Sequence, residues 1–389
     1  MPYPLNEGGT IGIYNYTRGF SESGCDVTLI ALAADKHKIN LDEAKTELSK
    51  YCQFLVYPIN TDVHVIPAFL NLFSSKSYNV ERFYSKHFEQ ELIKLLNENQ
   101  YDIIQIEGTF PAVYSDTIFK YAKSAKVVLR QHNVEFQIWQ RLAANAKNPI
   151  KKWYLNLLSR RLENFEKKHL NQYAALVPVT EDDGNLFKKM GCKIPVFASP
   201  AGINTEVWKP TYEQENPYAI FHIGSLEWLP NLEAVMWFLD EVWPHILQKT
   251  DKISFFVAGK GMPENLKNLK LKNVEMVGEV DSATAFVADK AITVVPLKSG
   301  SGIRLKILEA MSAGKVVIST TIGAQGINYS ENENILIADT PEAFAQSLIN
   351  VVEDNAYRKI IQQNARQLIE NQYSNKSVVA KLLDFYKTI

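Results

Sequence analysis

The sequence has few cysteines, no long apolar run and almost no net charge, and each of these absences excludes a class of protein. The three cysteines, Cys25, Cys52 and Cys192, lie far apart and form no CxxC pair, so we expect reduced thiols and no disulfide framework. No apolar run reaches the roughly 18 residues of a membrane-spanning helix. The formal net charge of −1 gives no basic excess of the kind that a nucleic-acid partner requires.

The first residues lack the pattern of a targeting signal. The opening stretch MPYPLNEGG contains neither the basic region nor the apolar region of a secretory leader. We therefore expect a cytoplasmic protein, with peripheral attachment to the inner face of the membrane as the alternative.

Short apolar runs alternate with amphipathic stretches of helical length along almost the whole chain. Continuous apolar strands separated by helices are typical of a parallel sheet that is covered on both faces. The first series of predicted strands is 26–34, 54–59, 102–107, 126–131, 175–180 and 194–198, and the second series is 218–224, 253–259, 273–278, 292–297, 315–320 and 334–338.

A length of 389 residues favours two domains. The two strand series are separated by 199–217, which is rich in Pro, Gly, Asn and Thr and lacks periodicity, as a linker does. We predict an α/β domain at 1–198, a second at 218–372, and a C-terminal helix at 373–389 that crosses back to the first. Two Rossmann-like doubly wound domains would then face a cleft at the carboxyl ends of their strands. The chain opens with a loop and a helix, so the usual first strand of the N-terminal domain is missing from the pattern.

A glycine-rich turn follows the apolar run at 292–297. Positions 297–315 read LKSGSGIRLKILEAMSAGK, in which Gly300 and Gly302 precede a predicted helix at 303–313. Glycines allow close backbone approach, and a helix N-terminus offers free N–H groups to a phosphate. Arg304 and Lys306 add two positive charges, so the stretch predicts a diphosphate site.

Two other phosphate-binding motifs do not fit this stretch. A P-loop would need a glycine at Glu309 and a magnesium-binding Ser or Thr at Val316. The dinucleotide fingerprint would need its third glycine at Leu305.

Glu309 indicates which diphosphate fits. It lies more than one turn deeper in the predicted helix than Arg304, and a buried carboxylate there needs strong hydrogen bonds. Ribose hydroxyls beside a diphosphate would supply them, so the pattern predicts a nucleoside diphosphate. The alternative is an ion pair of Glu309 with Lys306 or Arg304 on a solvated helix face, which the apolar surroundings KILEAMSAGKVVIS disfavour.

The stretch PLKSGSGIRLKILEAMSAGKVVISTTIGAQGI at 296–327 resembles the donor-site signature of retaining glycosyltransferases of the GT-B fold, family 4. The resemblance extends to PYPLNEGG at 2–9, LRQHNVE at 129–135, SPAGINTEVW at 199–208 and IGSLEWLPNLEAVMWFLDEVWP at 223–244. It implies that a sugar moves from a nucleoside diphosphate to an acceptor with retention at the anomeric carbon, without a bound metal or other cofactor. It also implies that the C-terminal domain holds the donor and the N-terminal domain mostly holds the acceptor.

The family motif carries donor-binding roles to a set of positions in this sequence, namely Gly224, Ser225, Gly300, Ser301, Gly302, Ile303, Arg304, Lys306 and Glu309. Two of these positions depart from the family pattern. The first family glutamate falls on Ser301, and Ser225 stands where many members have an arginine. The loop 224–231 also lacks the family lysine, so Arg304 and Lys306 are the expected replacements for these cations.

His132 follows the predicted strand 126–131 and resembles the family histidine beside the transferring sugar. Such a group would hydrogen-bond the sugar and stabilise positive charge near the anomeric carbon; an orienting or core histidine is the alternative. We interpret His222, inside a strand, as a packing residue. Further candidates on the cleft or acceptor side are Asn133, Glu107, and the glycine pair Gly8 and Gly9, which an ordinary helix start would explain equally.

The stretch 151–170 has an amphipathic pattern. Six basic and two acidic residues give it a net charge of +4, and one helical face carries Trp153, Leu157, Leu158, Leu162 and Phe165. Such a helix could rest on an anionic membrane that carries a lipid-linked acceptor. Packing of the helix on its own domain is the alternative.

Taken together, the sequence predicts a hexosyl-type glycosyltransferase of polysaccharide biosynthesis, which uses a nucleotide-sugar donor and a glycan or lipid-linked acceptor. A nucleotide-sugar epimerase of the same fold is one alternative, and it would release an altered sugar without an acceptor. A non-catalytic nucleotide-sugar-binding protein or partner subunit is the other, and the missing first strand and Ser301 favour it.

Overall fold

The computed structural model describes residues 1–4, 8–34, 40–300 and 302–389. These residues form two compact units, Met1–Ala201 with Val379–Ile389, and Gly202–Val378. The first boundary lies inside the segment 199–217, most of which belongs to the second unit, and the chain returns to the first unit at Val379 where the sequence placed the return at 373.

The strands described in the first unit form two parallel sheets, and not the single sheet that the sequence pattern predicts. One sheet pairs β1 (Thr28–Ala34) with β2 (Gln53–Ile59). The other has the order β3 (Ile103–Glu107), β4 (Lys126–Gln131) and β5 (Ala175–Pro178). No described strand hydrogen-bonds to both β1 and β3, so these are two separate sheets. No described strand precedes the first helix, which is where the sequence pattern also lacks one.

The predicted strand at 194–198 is wrong. An isolated bridge joins Val196 to Leu176, and backbone hydrogen bonds to β5 continue as far as Ser199 without forming a regular strand. Pro195 accepts one of these bonds but has no N–H group to extend the pairing toward residue 194.

The helices of the first unit cover these sheets and enclose a core that includes Phe88, Leu129 and Leu162. The predicted single helical region at 134–170 is two helices, which Asn148 separates by capping the second one. The helices are α1 (Gly8–Glu22), α2 (Leu41–Leu48), α3 (Val65–Asn71), α4 (Tyr78–Glu81), α5 (Lys86–Glu98), α6 (Ser115–Tyr121), α7 (Glu135–Ala144), α8 (Pro149–Lys168) and α9 (Glu181–Lys189), with a 3₁₀ turn at Pro111–Tyr114.

The second unit is built on one parallel sheet whose strand order is β11-β10-β9-β6-β7-β8. The order reverses between β6 and β9, and such a reversal opens a crevice at the carboxyl ends of the two strands. The strands are β6 (Asn216–Ile223), β7 (Ser254–Ala258), β8 (Val274–Gly278), β9 (Lys290–Val295), β10 (Val316–Ser319) and β11 (Leu336–Ile337). Strand β9 is buried along its whole length, as its continuous apolar run predicts.

Helices of the second unit pack on both faces of this sheet, around a core that includes Phe238, Trp243, Phe255 and Phe344. They are α10 (Leu229–Trp237), α11 (Trp243–Lys249), α12 (Glu264–Lys267), α13 (Ala283–Ala288), α14 (Leu305–Ser312), α15 (Pro341–Glu353) and α16 (Asn355–Leu368), with π-helical turns at Phe238–Val242 and Ile369–Tyr373 and a 3₁₀ turn at Tyr212–Gln214. The last helix, α17 (Asn375–Tyr386), begins in the second unit and ends in the first.

Candidate active site

The strand reversal in the second unit brings the predicted donor residues together. Strand β6 ends at Ile223 and is followed by Gly224, while its neighbour β9 ends at Val295 and leads into the glycine-rich turn. Helix α14 begins at Leu305 with Arg304 as its N-cap residue, so Arg304 lies before the helix and not inside it as the predicted helix 303–313 implied.

The Lys306 ammonium lies at the centre of this crevice. Its Nζ donates to Asn231 Oδ1 at 2.7 Å and lies 3.4 Å from His222 Nε2. The other ring nitrogen, His222 Nδ1, lies 2.9 Å from the Val294 carbonyl oxygen. A carbonyl only accepts, so Nδ1 carries the proton and Nε2 is left to accept from Lys306.

Gly224 makes room for the Lys306 ammonium. A Cβ atom at this position would lie 2.6 Å from Lys306 Nζ and 2.9 Å from Asn231 Nδ2. Both distances are far inside van der Waals contact, so a side chain here would displace the ammonium group. The glycine is therefore required by packing against Lys306.

Arg304 is held in the glycine-rich turn, and only 6% of its surface is exposed. Its guanidinium donates to the Gly302 carbonyl at 2.7 Å and lies 5.5 Å from the centre of the Trp228 ring. A Cβ at Gly300 would lie 2.8 Å from an Arg304 nitrogen, and the φ angles of +114° at Gly300 and +83° at Gly302 are ones that glycine adopts without strain.

Burial shifts the titration of Lys306 and Glu309 in opposite directions. Desolvation, reinforced by Arg304, lowers the pKa of Lys306 to about 7. Desolvation raises the pKa of Glu309 to about 7, against the opposing effect of Lys306. Each group is therefore destabilised in its charged form by its surroundings, which is typical of a binding site. Phosphate oxygens would favour the charged lysine, and hydroxyl groups would hydrogen-bond the carboxylate.

A second cluster of charged side chains lies in the first unit. Glu107 ends β3 directly beside Arg130 of β4, with which it is in register. The carboxylate oxygen Oε2 of Glu107 accepts from Arg130 at 3.0 Å and from His132 Nε2 at 2.6 Å. His132 follows the end of β4, so the two strands bring this carboxylate and this imidazole together.

The carboxylate of Glu107 fixes the imidazole tautomer. Burial favours its neutral form, but Arg130 and His132 outweigh burial and lower the pKa of Glu107 to about 2. An ionised carboxylate only accepts hydrogen bonds, so the proton of neutral His132 lies on Nε2. His132 Nδ1 is then an acceptor, and it would become a donor if the ring were protonated.

Helix α1 supports this cluster from one side. Its first turn contains Gly8 and Gly9, so they begin the helix and do not precede it. A Cβ at Gly9 would lie 3.3 Å from His132 Nδ1, and the Arg130 guanidinium lies 4.3 Å from the centre of the Tyr16 ring. The Tyr16 hydroxyl donates to the Pro200 carbonyl at 2.9 Å.

The end of helix α17 also reaches the cluster. The Tyr386 hydroxyl hydrogen-bonds Gln105 Oε1, and the Gln105 amide nitrogen donates to Glu107 Oε1. A continuous chain of hydrogen bonds therefore runs from the C-terminal helix through Gln105 and Glu107 to His132.

Two family models match the sequence along most of its length. Residues 7–207 match the model described as Glycosyltransferase Family 4, and residues 217–354 match the model described as Glycosyl transferases group 1. The chain belongs to glycosyltransferase family 4.

The relatives and structural neighbours agree with this assignment. A Klebsiella pneumoniae protein described as an uncharacterized 44.6 kDa protein in the cps region is 25% identical, over 98% of this chain and 96% of that protein. The structure of Anabaena HepE in complex with UDP is similar with a TM-score of 0.65 and 12% identity, over 98% of this chain and 97% of that one. Sucrose-phosphate synthase from Thermosynechococcus elongatus is similar with a TM-score of 0.69 and 14% identity, over 98% of this chain and 93% of that one. These neighbours show the GT-B fold.

Some predicted site residues of this family 4 chain lie at the edge of the two clusters or outside the described residues. Ser225 is exposed, and its carbonyl accepts from Asn231 at 2.7 Å. Asn133 is exposed and contacts Glu135 at the start of α7. Ile303 packs on the core of its unit. Ser301 lies outside the described residues.

Three residues of the clusters were missed or misjudged from the sequence. His222 was interpreted as packing, yet it contacts Lys306, and Asn231 also binds that lysine. Arg130 was unassigned, although a charged residue in the apolar strand KVVLRQ is a signal of a buried partner. The partners are far apart in the sequence, which is why spacing alone did not find them.

The predicted membrane face of α8 mostly packs within its own unit. Leu158 and Leu162 are buried and Phe165 packs on the core, while Trp153 is 58% exposed. Packing on the domain is therefore the correct interpretation for all but the first turns of this helix. None of the helices in the described part of the chain is long and apolar enough to cross a membrane.

Proposed function

We propose that this family 4 protein transfers a hexosyl-type sugar from a nucleoside-diphosphate sugar to a glycan or lipid-linked acceptor, with retention at the anomeric carbon. One observation carries the proposal. Lys306, Arg304 and Glu309 lie around the first turns of α14, at the carboxyl ends of the strands where the sheet order reverses. Cations at the helix start with a carboxylate deeper along it fit a diphosphate joined to a ribose.

The proposed reaction breaks the bond between the anomeric carbon and the diphosphate oxygen and forms a bond from that carbon to an acceptor hydroxyl oxygen. The hydroxyl proton leaves with the diphosphate. Negative charge therefore grows on the leaving group, where Lys306, Arg304 and the N–H groups of α14 would stabilise it. Glu309 would hold the ribose hydroxyls and so fix the position of the diphosphate.

His132 would act on the sugar. With its proton on Nε2 and held by Glu107, Nδ1 can accept a hydrogen bond from a sugar hydroxyl. We assign to His132 the orientation of the sugar and the stabilisation of its transition state.

The same cations support a metal-independent mechanism that requires no cofactor. Lys306 and Arg304 would supply at the diphosphate the positive charge that a divalent ion supplies in other transferases. UDP is the first candidate nucleotide, because the similar HepE structure contains it.

The description of one relative supports a polysaccharide acceptor. The Klebsiella relative is described as belonging to a cps region, which supports a setting in polysaccharide biosynthesis. A cytoplasmic location, with peripheral contact to the inner face of the membrane, would bring such an enzyme to nucleotide sugars and to lipid-linked acceptors.

Calorimetric titration with UDP, GDP and ADP tests the donor site. We expect one diphosphate to bind the wild-type protein and Glu309→Ala to lose that binding, because the ribose loses its acceptor. Glu264→Ala is the matched control, since Glu264 is an exposed carboxylate in the same unit. If no diphosphate binds a folded wild-type protein, the assignment of 296–309 as a donor site is wrong.

Product analysis separates the enzyme classes. The bound nucleotide sugar is incubated with and without candidate acceptors, and the products are identified by mass spectrometry and NMR. Transfer that requires an acceptor and retains the anomeric configuration supports the proposal. An altered free sugar formed without an acceptor would indicate an epimerase, and binding without turnover would indicate a partner subunit.

A further inference from the structure

A cluster of large apolar side chains is exposed on and around helix α3. Val63 is 66% exposed, Ile66 73%, Phe69 59%, Leu70 61% and Phe73 82%. The rings of Phe69 and Phe73 contact each other edge to face, with their centres 5.7 Å apart. We call these five residues the α3 surface. A contiguous group of this kind is uncommon on a free protein and marks an interaction site.

The α3 surface is held at both ends, by helix α8 at one end and by helix α4 at the other. Arg161 of α8 donates to the carbonyls of Asn71 and Leu72, at 2.8 and 3.0 Å. At the other end, the Tyr78 hydroxyl accepts from the His64 backbone N–H at 3.1 Å. The segment is therefore held in place while the five apolar side chains of the α3 surface are exposed.

The first turns of α8 also expose apolar side chains. Ile150 is 75% exposed and Trp153 is 58% exposed. Their spacing places them on the same side of α8 as Arg161, which binds α3. Tryptophan is a residue that favours the boundary between water and lipid headgroups.

Basic side chains line the start of α8. Lys147, Lys151, Lys152 and Arg160 are exposed. The helical spacing places Lys151 and Arg160 on either side of Arg161, which binds α3, and Lys152 on the opposite face. In the described part of the chain none of these four forms an ion pair, whereas Lys167 and Lys168 at the far end of α8 pair with Glu163 and Asp116. The start of α8 thus carries unpaired positive charge although the formal net charge of the chain is −1.

We propose that the α3 surface docks on an anionic lipid bilayer, with the phenylalanines entering the headgroup region and Lys151 and Arg160 of α8 facing acidic lipids. Apolar side chains beside a basic rim are what interfacial membrane segments present. A second copy of the chain is a poorer occupant, because it would bring a like-charged rim against the first. The biological use of docking rests on the proposed function, since a bilayer would carry a lipid-linked acceptor, but docking itself requires no catalysis.

Vesicle co-sedimentation of the full chain tests this surface. Vesicles made of equal parts phosphatidylglycerol and phosphatidylcholine are compared with vesicles of phosphatidylcholine alone. We expect binding to the anionic vesicles only, weakened by high salt as the basic residues are screened. The double substitution Phe69→Ser with Phe73→Ser should lower the partition coefficient by about tenfold or more, because two inserted rings are lost.

A matched double variant controls for the loss of exposed apolar side chains as such. Val207→Ser with Ile360→Ser alters residues that are 56% and 53% exposed in the second unit, and this variant should bind vesicles as the wild type does. Lys151→Ala with Arg160→Ala should weaken binding to anionic vesicles by a severalfold factor. Circular dichroism and nucleotide titration on each variant verify that it is folded.

Three results would overturn the proposal. The first is equal vesicle binding by the phenylalanine variant and the wild type, and the second is binding that ignores lipid charge. The third is light scattering that shows a wild-type dimer which Phe69→Ser with Phe73→Ser dissociates, because the surface would then be a protein interface. Vesicle binding without any nucleotide binding would refute the proposed function and leave the docking surface intact.

Discussion

The surroundings of Lys306 and Glu309 destabilise the charged form of each side chain. Both pKa values lie near 7, although an ordinary lysine and an ordinary glutamate differ by about 6 units. Neighbouring charge alone cannot produce both shifts, because each partner favours the charge of the other; burial is the main cause. Phosphate and hydroxyl groups that contact the pair would then stabilise the charged forms, which burial destabilises in the free protein.

The first prediction concerns Glu309→Gln. The folded-state pKa of about 7 lies above the ordinary 4.5, so the stability contribution of Glu309 is complete below pH 4.5 and is lost as pH rises through 7. The substitution removes this loss. We expect the free Glu309→Gln protein to be more stable than the wild type at pH 8, by about 1–2 kcal/mol, and no more stable at pH 4.5.

Thermal unfolding at the two pH values measures this difference, with Glu264→Gln as the exposed control. Glu309→Gln should also bind UDP at least about tenfold more weakly than the wild type, because an amide is a poorer acceptor for ribose hydroxyls than a carboxylate. A variant that is less stable than the wild type at pH 8, or that binds UDP normally, would contradict the prediction.

The second prediction separates the roles of the two clusters. His132→Ala should lower kcat by about 100-fold, as the loss of a transition-state hydrogen bond does, and leave the dissociation constant for UDP unchanged. The side chain of His132 is 20% exposed, so its removal should not unfold the protein. Steady-state kinetics and calorimetry test the two halves of the prediction. A loss of UDP binding would show that His132 acts on the nucleotide.

Glu107→Gln extends this test to the positioning residue. It leaves Arg130 buried without its carboxylate, so we expect a loss of about 3–5 kcal/mol in the free energy of unfolding. The kcat should fall while UDP binding persists at temperatures where the variant is folded. Glu89→Gln is the control for loss of a charged acceptor. The Glu89 carboxylate, on α5, accepts a hydrogen bond from Thr117 of α6.

At the scale of elements, a strand end and a helix start are joined by one close contact. Strand β6 presents Gly224 and helix α14 presents Lys306, and their approach leaves no space for a side chain at 224. The spatial order of the strands makes this possible, because β6 and β9 are neighbours in the sheet although about 70 residues separate them in the chain. The donor cluster is therefore a product of the strand order.

The third prediction is that Gly224→Ala weakens UDP binding by about tenfold or more, because the added methyl group would displace the Lys306 ammonium. Gly278→Ala is the control at the end of β8. Gly278 has a φ of +80° and no heavy atom within 4 Å of its would-be Cβ, so alanine there adds backbone strain alone. Calorimetry should show that Gly278→Ala binds UDP normally. Equal losses in both variants would mean that backbone strain, and not contact with Lys306, is responsible.

The fourth prediction concerns helix α17. Tyr386→Phe removes the hydroxyl that hydrogen-bonds Gln105, so the hydrogen-bond chain to Glu107 loses its outer member. We expect a loss of about 1 kcal/mol in stability and a severalfold decrease in kcat with UDP affinity unchanged. Tyr357→Phe is the control for loss of a tyrosine hydroxyl, because the Tyr357 hydroxyl makes a long contact of 3.4 Å to the Asn332 carbonyl oxygen. An unchanged kcat in Tyr386→Phe would separate the C-terminal helix from catalysis.

At the scale of the whole molecule, the two units divide the chemistry. Every donor residue discussed belongs to Gly202–Val378, and the His132 cluster belongs to the unit made of Met1–Ala201 and Val379–Ile389. Nucleotide binding should therefore act first on the second unit.

The fifth prediction follows from this division and is measured by hydrogen exchange with mass spectrometry. Saturating UDP should slow exchange in peptides covering 222–231 and 302–312, because the ligand stabilises the elements that it contacts. Peptides covering α9 should exchange at the same rate with and without UDP. Equal protection of α9 would show that the nucleotide orders both units together.

Much of the fold could be predicted from local patterns. Continuous apolar runs identify buried parallel strands such as β9 because both of its faces are covered. The first unit was harder, since the separation into two sheets depends on which strands hydrogen-bond, and the segment predicted as a strand at 194–198 forms only an isolated bridge with a few backbone hydrogen bonds. The α3 surface could not be identified, because its apolar pattern is the same as that of a helix packed in a core.

Local sequence patterns identified the parallel α/β class and located the strand–turn–helix at 292–312 with its glycines, cations and carboxylate, and they predicted two domains. The strand and turn signals lie within short stretches, where periodicity and backbone chemistry act directly. The packing of distant elements places His222 and Asn231 against Lys306, and Glu107 against His132. Those contacts join residues from separate elements, and strand order and register, which no local pattern encodes, bring them within hydrogen-bonding distance.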